Sequence, residues 1–149
     1  MSIIRVTKEF RFEGAHALTD YDGKCRFIHG HSYRMFVTLR GKPVEKQGDP
    51  KSGMVIDFSQ LKDIVNHHIT DIYDHALLLR EDAVLADDIA SAYCNVFKTP
   101  FQPTCENLAI HFAGILQREL PGHLELYSIK LYETATSYVE WFAQDNIQK

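Results

Sequence analysis

Residues 4–12, Ile-Arg-Val-Thr-Lys-Glu-Phe-Arg-Phe, alternate between apolar and polar side chains. The apolar positions share one parity and only Lys8 interrupts them, so the stretch predicts a β-strand with one buried face. Met, Val and Leu repeat the alternation over residues 35–39. We therefore predict two long antiparallel partner strands, separated by an irregular stretch that carries Gly14, Gly23 and Gly30.

The period changes to that of a helix after residue 57. Asp57 or Ser59 is suited to the N-cap, and one helix face is then made of Phe58, Leu61, Ile64, Val65 and His68. A second helix should follow Pro103-Thr104 and stop at Pro121-Gly122. Its apolar face would consist of Leu108, Phe112, Ile115 and Leu116.

The two-residue alternation of a β-strand returns after the second helix. One side of the next strand should carry Tyr127, Ile129, Leu131 and Glu133. A last strand is predicted around residues 138–142. The stretch from Arg80 to Gln102 is expected to be partly helical, around residues 87–93.

The order strand–strand, helix–helix, strand–strand predicts an α+β fold with a largely antiparallel sheet, in a single domain of residues 1–149. If both helices lie on one face, a four-stranded sheet keeps one bare face and two open edges. Association with further copies of the chain would cover both, so we predict a homo-oligomer.

Composition excludes several classes of protein. The 149 residues include 16 basic and 20 acidic side chains, a net charge of −4, which argues against a general nucleic-acid or anionic-membrane binder. The start of the chain does not resemble a signal peptide, and no apolar run is long enough to span a membrane. Three cysteines, widely spaced, fit a cytoplasmic protein with free thiols, and we expect Cys94 and Cys105 to be buried apolar residues.

Three of the eight histidines have a spacing that is typical of metal ligands. His29 and His31 form an H-x-H, which puts both imidazoles on one face of an extended chain. His16 ends the first predicted strand, and antiparallel pairing could bring it beside them. Three neutral imidazoles with one open position are the usual ligands of catalytic zinc. Loop histidines are also commonly solvated, so the spacing alone does not distinguish a metal site from three solvated histidines.

Cys25 lies four residues before His29, and two interpretations compete. It could be a fourth zinc ligand that closes a structural site. It could instead be a free thiolate that acts on a substrate at the metal, since thiols near a dication are deprotonated more readily.

Carboxylates supply the remaining candidates. Asp74 could orient His75 as an acid–base pair. Glu133 continues an inward-facing strand side and needs a partner, such as the N–H pair of a pterin or guanine ring or an arginine of the protein. Thr104 and Glu106 are explained as an N-cap and a helix-dipole partner. No role is assigned to His67, His68, His111 and His123.

These residues occur in order along the chain in a pattern that resembles the 6-pyruvoyltetrahydropterin synthase / 6-carboxytetrahydropterin synthase family. The segments are Phe12-Glu13-Gly14-Ala15-His16, Cys25-x3-His29-Gly30-His31-Ser32-Tyr33, Val55-Ile56-Asp57-Phe58, Asp74-His75, Pro103-Thr104-x-Glu106-Asn107 and Glu133-Thr134. The resemblance covers nearly the whole chain, and its most specific part is a histidine after the first strand followed by C-x3-H-G-H.

The resemblance implies the tunnelling fold, in which ββααββ subunits join their sheets into barrels, commonly as a hexamer of two trimers with active sites between subunits. It implies zinc held by His16, His29 and His31. It also implies catalytic roles for Cys25, Asp74 and His75, a pterin anchor at Glu133, and positions near the pterin for Thr104 and Glu106.

The implied substrate is 7,8-dihydroneopterin triphosphate. Zinc would serve as Lewis acid, the Cys25 thiolate would remove a side-chain proton, and His75, oriented by Asp74, would return one as triphosphate departs. We favour 6-carboxy-5,6,7,8-tetrahydropterin as the product, with release of acetaldehyde, as in queuosine synthesis. A 6-pyruvoyl product is the alternative. The folate-linked branch of the family, with Glu in place of Cys25, is disfavoured. The longer stretch from Arg80 to Gln102 departs from the compact connection of the carboxy enzymes.

Two functions of other classes stay open at this point. One is a non-enzymatic pterin- or purine-binding module with structural zinc closed by Cys25. The other is a metal-dependent hydrolase that uses the three histidines.

Overall fold

The computed structural model describes residues 2–84, 86–93 and 95–147. Its strands are β1 (Ile4–His16), β2 (His29–Gly41), β3 (Ala76–Arg80), β4 (Val96–Thr99), β5 (Glu125–Tyr132) and β6 (Tyr138–Phe142). Its helices are α1 (Phe58–Val65), α2 (Asp71–Tyr73), α3 (Ala86–Tyr93) and α4 (Cys105–Glu119). A π-helical turn, Asn66–Thr70, joins α1 to α2, and short 3-10 turns occupy Lys24–Arg26 and Ala143–Asn146. The strands form a six-stranded sheet in the order β4-β3-β1-β2-β5-β6.

The long pair β1 and β2 is antiparallel from Ile4 opposite Gly41 to His16 opposite His29. β1 ends at His16, as predicted, but Gly14 and Gly30 lie inside the strands, so the irregular segment is confined to residues 17–28. Gly14 has a packing reason: a Cβ there would lie 3.2 Å from Cε2 of Tyr33. Its missing side chain makes room for that ring.

The fold class is α+β, as predicted. One hydrophobic cluster joins the inner face of the sheet to both long helices, through Phe12 and Met35 on the strands and Leu61, Leu108 and Phe112 on the helices. The predicted caps are present. Asp57 accepts a hydrogen bond from Ser59 N at 2.8 Å, and Thr104 accepts one from Asn107 N at 3.3 Å.

Two short strands were not predicted. β3 runs parallel to β1 and β4 runs parallel to β3, so the sheet has six strands rather than four. Apolar runs of four or five residues carry no periodicity that separates a strand from a buried helix turn. Pairing with β1, more than sixty residues earlier, and with β4 makes Ala76–Arg80 a strand. The helix expected near residues 87–93 is present as α3.

The prediction that Tyr127 shares the inner face of β5 was wrong. The register between β2 and β5 shifts between Thr38 and Leu39, so Leu126 and Ile129 are both buried while Tyr127 is turned to the outer face. There the Arg5 guanidinium lies 4.1 Å from the centre of the Tyr127 ring. A β-bulge moves a side chain to the other face in this way.

The outer face of the sheet is bare only in part, because α3 contacts β4 and its Ile89 and Tyr93 share a cavity with Ala15 of β1 and Leu77 of β3. It carries aromatic and basic side chains, including Arg5, Arg34, Phe36, Lys130 and Tyr132. No helix in the described ranges is long and apolar enough to cross a membrane. Cys105 is buried, as predicted, and Cys94 lies outside the described residues.

Candidate metal centre and adjoining cavities

The pairing of β1 with β2 brings the three predicted histidines together. His16 is directly opposite His29, and His31 follows two residues along the same strand. The Nε2 atom of His16 lies 3.0 Å from Nε2 of His29 and 3.2 Å from Nε2 of His31. The ligand atoms of all three lie within 4.8 Å of one another, a set that could hold a metal ion.

The hydrogen bonds at the far side of the rings fit a metal better than a histidine–histidine bond. His16 Nδ1 lies 2.7 Å from the Pro103 carbonyl oxygen, and His29 Nδ1 lies 2.7 Å from that of Phe27. A carbonyl only accepts, so each Nδ1 carries the proton and each Nε2 of a neutral ring presents a lone pair. Two lone pairs 3.0 Å apart repel unless a cation lies between them. The donor set therefore suits a metal ion.

Burial and charge act in opposite directions on these rings. His16 is 1% exposed, and its burial lowers its pKa below the usual value for histidine. Burial likewise lowers the pKa of His31. Glu133 opposes both shifts, because its Oε1 lies 3.7 Å from His16 Nε2 and 3.8 Å from His31 Nε2. Burial is the larger effect, so it favours the neutral form of His16 and His31, which is the form that binds metal.

Cys25 lies beside the histidines but outside the three-residue group. It is half-buried and lines a cavity of about 370 Å³ together with His16, Thr104, Glu106 and Glu133. We name this the Cys25 cavity. It brings together five of the predicted site residues, with the carboxylates of Glu106 and Glu133 and the thiols of Cys25 and Cys105 around a space open to a small molecule.

Asp74 and His75 face each other, which adjacency in sequence does not guarantee. The Asp74 Oδ2 atom lies 2.9 Å from His75 Nδ1, and Asp74 Oδ1 accepts a hydrogen bond from the Glu13 N–H at 2.8 Å. The hydrogen bond from the Glu13 N–H, and to a smaller extent the contact with His75, holds the pKa of Asp74 below its usual range. The contact fixes a proton on Nδ1 and leaves His75 Nε2 free for proton transfer.

The backbone of His75 is held in a strained conformation. Its φ of 59° lies in the left-handed region, where a residue with a Cβ is disfavoured. Two hydrogen bonds hold it there: the His75 N–H donates to the Glu13 carbonyl at 2.6 Å, and Asn95 Nδ2 donates to the His75 carbonyl at 2.7 Å. Strain of this kind is typical of functional sites.

His75 does not line the Cys25 cavity. It lines a separate cavity of about 680 Å³, which we name the His75 cavity, together with His31, Tyr93 and Asn95. The stretch after Arg80 supplies one wall of this cavity through Ile89 and Tyr93 of α3. Within one chain, therefore, Cys25 and His75 line different cavities.

One buried polar group near the site was missed by the sequence reasoning. The Tyr33 hydroxyl is buried and has no hydrogen-bond partner among the described residues. Burial, followed by the charges of Glu133, Cys105 and Cys25, raises its pKa. The only signal in the sequence was its place two residues after His31, on the same strand face.

The histidines without an assigned role lie away from both cavities. His67 is exposed and His68 is half-buried, 3.6 Å from a Glu119 oxygen. His111 Nε2 lies 2.7 Å from the Tyr73 hydroxyl, and His123 is exposed.

Comparison with known proteins identifies the family of the chain. The family model described as 6-pyruvoyl tetrahydropterin synthase matches residues 5–144. The chain belongs to this family.

Two relatives illustrate the range of names within it. The chain is 36% identical over 143 residues to the 6-carboxy-5,6,7,8-tetrahydropterin synthase of Haemophilus influenzae, covering 93% of this chain and 99% of that one. It is 32% identical over 119 residues to the 6-pyruvoyl tetrahydrobiopterin synthase of Poecilia reticulata, covering 78% of this chain and 68% of that one.

Solved structures share the fold. The 6-pyruvoyl tetrahydropterin synthase of Caenorhabditis elegans superimposes with a TM-score of 0.70 at 28% identity, covering 96% of this chain and 97% of that one. A Wolinella succinogenes protein superimposes with a TM-score of 0.79 at 21% identity, covering 96% and 99%.

Proposed function

We propose that the protein is a zinc-dependent lyase that converts 7,8-dihydroneopterin triphosphate to 6-carboxy-5,6,7,8-tetrahydropterin, releasing acetaldehyde and triphosphate, as in queuosine synthesis. The observation that carries the proposal is the convergence of three imidazole Nε2 atoms at the edge of the Cys25 cavity. The relatives named 6-carboxy-5,6,7,8-tetrahydropterin synthase, which match 93% of the chain, support this product over the 6-pyruvoyl alternative.

Zinc suits the three histidines. Zn–N bonds of about 2.0–2.1 Å in a tetrahedron place two ligand nitrogens about 3.3 Å apart. The distances of 3.0 and 3.2 Å from His16 Nε2 are close to that value. When bound there, zinc would supply Lewis-acid polarisation of a substrate oxygen.

Side chains of the Cys25 cavity would hold and deprotonate the substrate. We assign the base to Cys25, whose thiolate would take a proton from the side chain of the pterin. Glu133 would accept hydrogen bonds from the N–H pair of the ring, with Thr104 and Glu106 close to it. The alternative role for Cys25, as a fourth ligand of structural zinc, is disfavoured because Cys25 is not in the histidine group.

His75 would return a proton at another carbon atom. Its Nδ1 is held by Asp74 at 2.9 Å, so Nε2 is the atom that exchanges the proton. Since His75 and Cys25 line different cavities of one chain, we propose that His75 acts in the site of a neighbouring subunit. A homohexamer of two trimers, with the outer sheet faces turned into a barrel, would supply that neighbour.

The assay is product analysis with 7,8-dihydroneopterin triphosphate. We expect triphosphate, acetaldehyde and a 6-carboxy pterin. A 6-pyruvoyl product without acetaldehyde would refute the proposed product but would agree with membership of the family. No release of triphosphate by zinc-loaded protein would refute the proposal.

Metal content tests the histidines independently of turnover. Wild-type protein should hold about one zinc per chain, and His16→Ala should lower that content, while the exposed His123→Ala serves as the control. Wild-type protein without zinc, prepared without chelators, would refute the metal assignment.

Cys25→Ala separates a base from a structural ligand. If Cys25 is the base, zinc content and melting temperature stay near wild type while turnover falls by about 10²–10⁴-fold. Loss of zinc in this variant would favour the binding module with structural zinc.

Light scattering tests the shared site. We expect an oligomer, with the hexamer as the assembly proposed. A monomer at micromolar concentration would exclude a site completed by a neighbouring subunit.

A further inference from the structure

The segment that carries Cys25 is an irregular connection, residues 17–28, between β1 and β2. It closes on itself through the Leu18 N–H, which donates to the Cys25 carbonyl at 2.9 Å. That bond ties Cys25 to Leu18, next to Thr19, and in the described part of the chain Cys25 has no hydrogen bond to the sheet or to the helices. The position of the thiol relative to the histidines therefore depends on what holds Thr19.

The side chain of Gln102 holds both backbone polar groups of Thr19. The Thr19 N–H donates to Gln102 Oε1 at 3.1 Å, and Gln102 Nε2 donates to the Thr19 carbonyl at 2.6 Å. A planar side-chain amide presents a donor and an acceptor side by side, as a backbone partner would. Among the described residues, the other side-chain hydrogen bond from this connection to a distant part of the chain joins Asp20 to Arg80 at 3.1 Å. Asp20 is largely exposed, so that ion pair contributes little.

The backbone at Gln102 is held by the start of α4. Its carbonyl accepts hydrogen bonds from Asn107 Nδ2 at 2.9 Å and from the Thr104 N–H at 2.8 Å. The next carbonyl, that of Pro103, is the one bonded to His16 Nδ1 at 2.7 Å. Two consecutive residues thus hold a candidate metal ligand on one side and the Cys25 segment on the other.

We propose that Gln102 is a positioning residue whose side-chain amide sets the place of Cys25 relative to the three histidines. The proposal deepens the proposed function and rests on it, because it assumes that Cys25 acts on a molecule held at the histidine site. Gln102 itself does not line the Cys25 cavity, so it acts through Thr19 and the bond between Leu18 and Cys25.

Gln102→Glu is the sharpest variant. A carboxylate still accepts from the Thr19 N–H, but it cannot donate to the Thr19 carbonyl, which lies 2.6 Å from the present donor. Protonation of the carboxyl restores a donor. The turnover number of this variant, relative to wild type, should therefore rise as the pH is lowered from 8 to 5.

At pH 8 we expect the turnover number of Gln102→Glu to fall by about 10- to 100-fold with KM little changed, since a misplacement of about 1 Å can cost that much. Zinc content should stay at the wild-type level, because the bond to His16 comes from the Pro103 backbone. Gln117→Glu makes the same chemical change on the exposed surface of α4 and is the matched control. Its turnover relative to wild type should not depend on pH.

Alkylation of Cys25 gives a readout that does not need turnover. Iodoacetamide labelling, resolved at Cys25 by mass spectrometry, should be several-fold faster in Gln102→Ala than in wild type, because the released segment exposes the thiol. For Gln102→Glu, the labelling rate relative to wild type should return toward one as the pH falls. If Gln102→Ala does not fold, Gln102→Glu at pH 5 and pH 8 still decides the matter.

The proposal would be overturned if, at pH 8, both Gln102 variants had the same Cys25 labelling rate and the same turnover number as wild type. It would also be overturned by a pH dependence of Gln102→Glu no different from that of Gln117→Glu. If wild-type protein does not act on the pterin triphosphate, the proposed function fails, and the labelling experiment still decides whether Gln102 positions Cys25.

Discussion

Two buried tyrosines should respond in opposite ways to loss of the hydroxyl group. Tyr33 and Tyr73 are each 1% exposed, so they are matched in burial. The Tyr73 hydroxyl lies 2.7 Å from His111 Nε2, whereas the Tyr33 hydroxyl has no partner in the described part of the chain. We predict that Tyr73→Phe destabilises the protein and that Tyr33→Phe stabilises it.

The magnitudes follow from the hydrogen bonds. Tyr73→Phe removes a bond that contributes about 0.5–1.5 kcal/mol net, and the half-buried His111 nitrogen that loses its partner can be hydrated. Tyr33→Phe removes an unpaired buried hydroxyl whose desolvation costs about 1–3 kcal/mol. The free energies of unfolding of the two variants should therefore differ by at least about 1.5 kcal/mol. For a chain of this size, 1 kcal/mol corresponds to about 2–4 °C in melting temperature.

Thermal unfolding at pH 8, with metal-free protein at one fixed concentration, is the appropriate assay. Burial, followed by the charge of Arg118, lowers the pKa of His111. The unfolded state therefore binds the proton more tightly, and acidification below about pH 6.5 destabilises the fold through this group. At pH 8 the ring is neutral in both states. Equal destabilisation by the two substitutions would refute the assignment of Tyr33 as unpaired.

Three further predictions concern the elements around the site. Asp74→Asn should lower the free energy of unfolding, measured by urea unfolding at pH 7. Because the pKa of Asp74 is lowered in the fold, the difference from wild type should shrink as the pH falls below about 4. A difference that stays constant down to pH 3 would contradict this prediction. Asp57→Ala removes the N-cap bond to Ser59 and should cost about 1 kcal/mol, measured as a melting temperature about 2–4 °C lower. Gly14→Ala places a Cβ 3.2 Å from the Tyr33 ring and should destabilise the protein by about 1–3 kcal/mol in the same assay, whereas an unchanged melting temperature would show that the ring moves freely.

The sequence by itself determined the elements whose signal is local. The two-residue period of β1 and β2 and the helical period of α1 and α4 were sufficient, because each face repeats many times over a long element. The caps at Asp57 and Thr104 were found for the same reason, since a cap bonds to an N–H two or three residues away. The H-x-H of β2 placed two imidazoles on one face without any knowledge of the rest of the chain.

Tertiary structure alone decided the features that depend on distant partners. The short strands β3 and β4 exist because they pair with β1 and with each other, and the bulge at Tyr127 arises from register against β2. The bonds from Gln102 to Thr19 and from Pro103 to His16 join residues 83 and 87 positions apart, a relation that no local period reports. Pattern in sequence reflects which face is buried, whereas hydrogen bonds between specific atoms depend on how the completed sheet brings separate segments together.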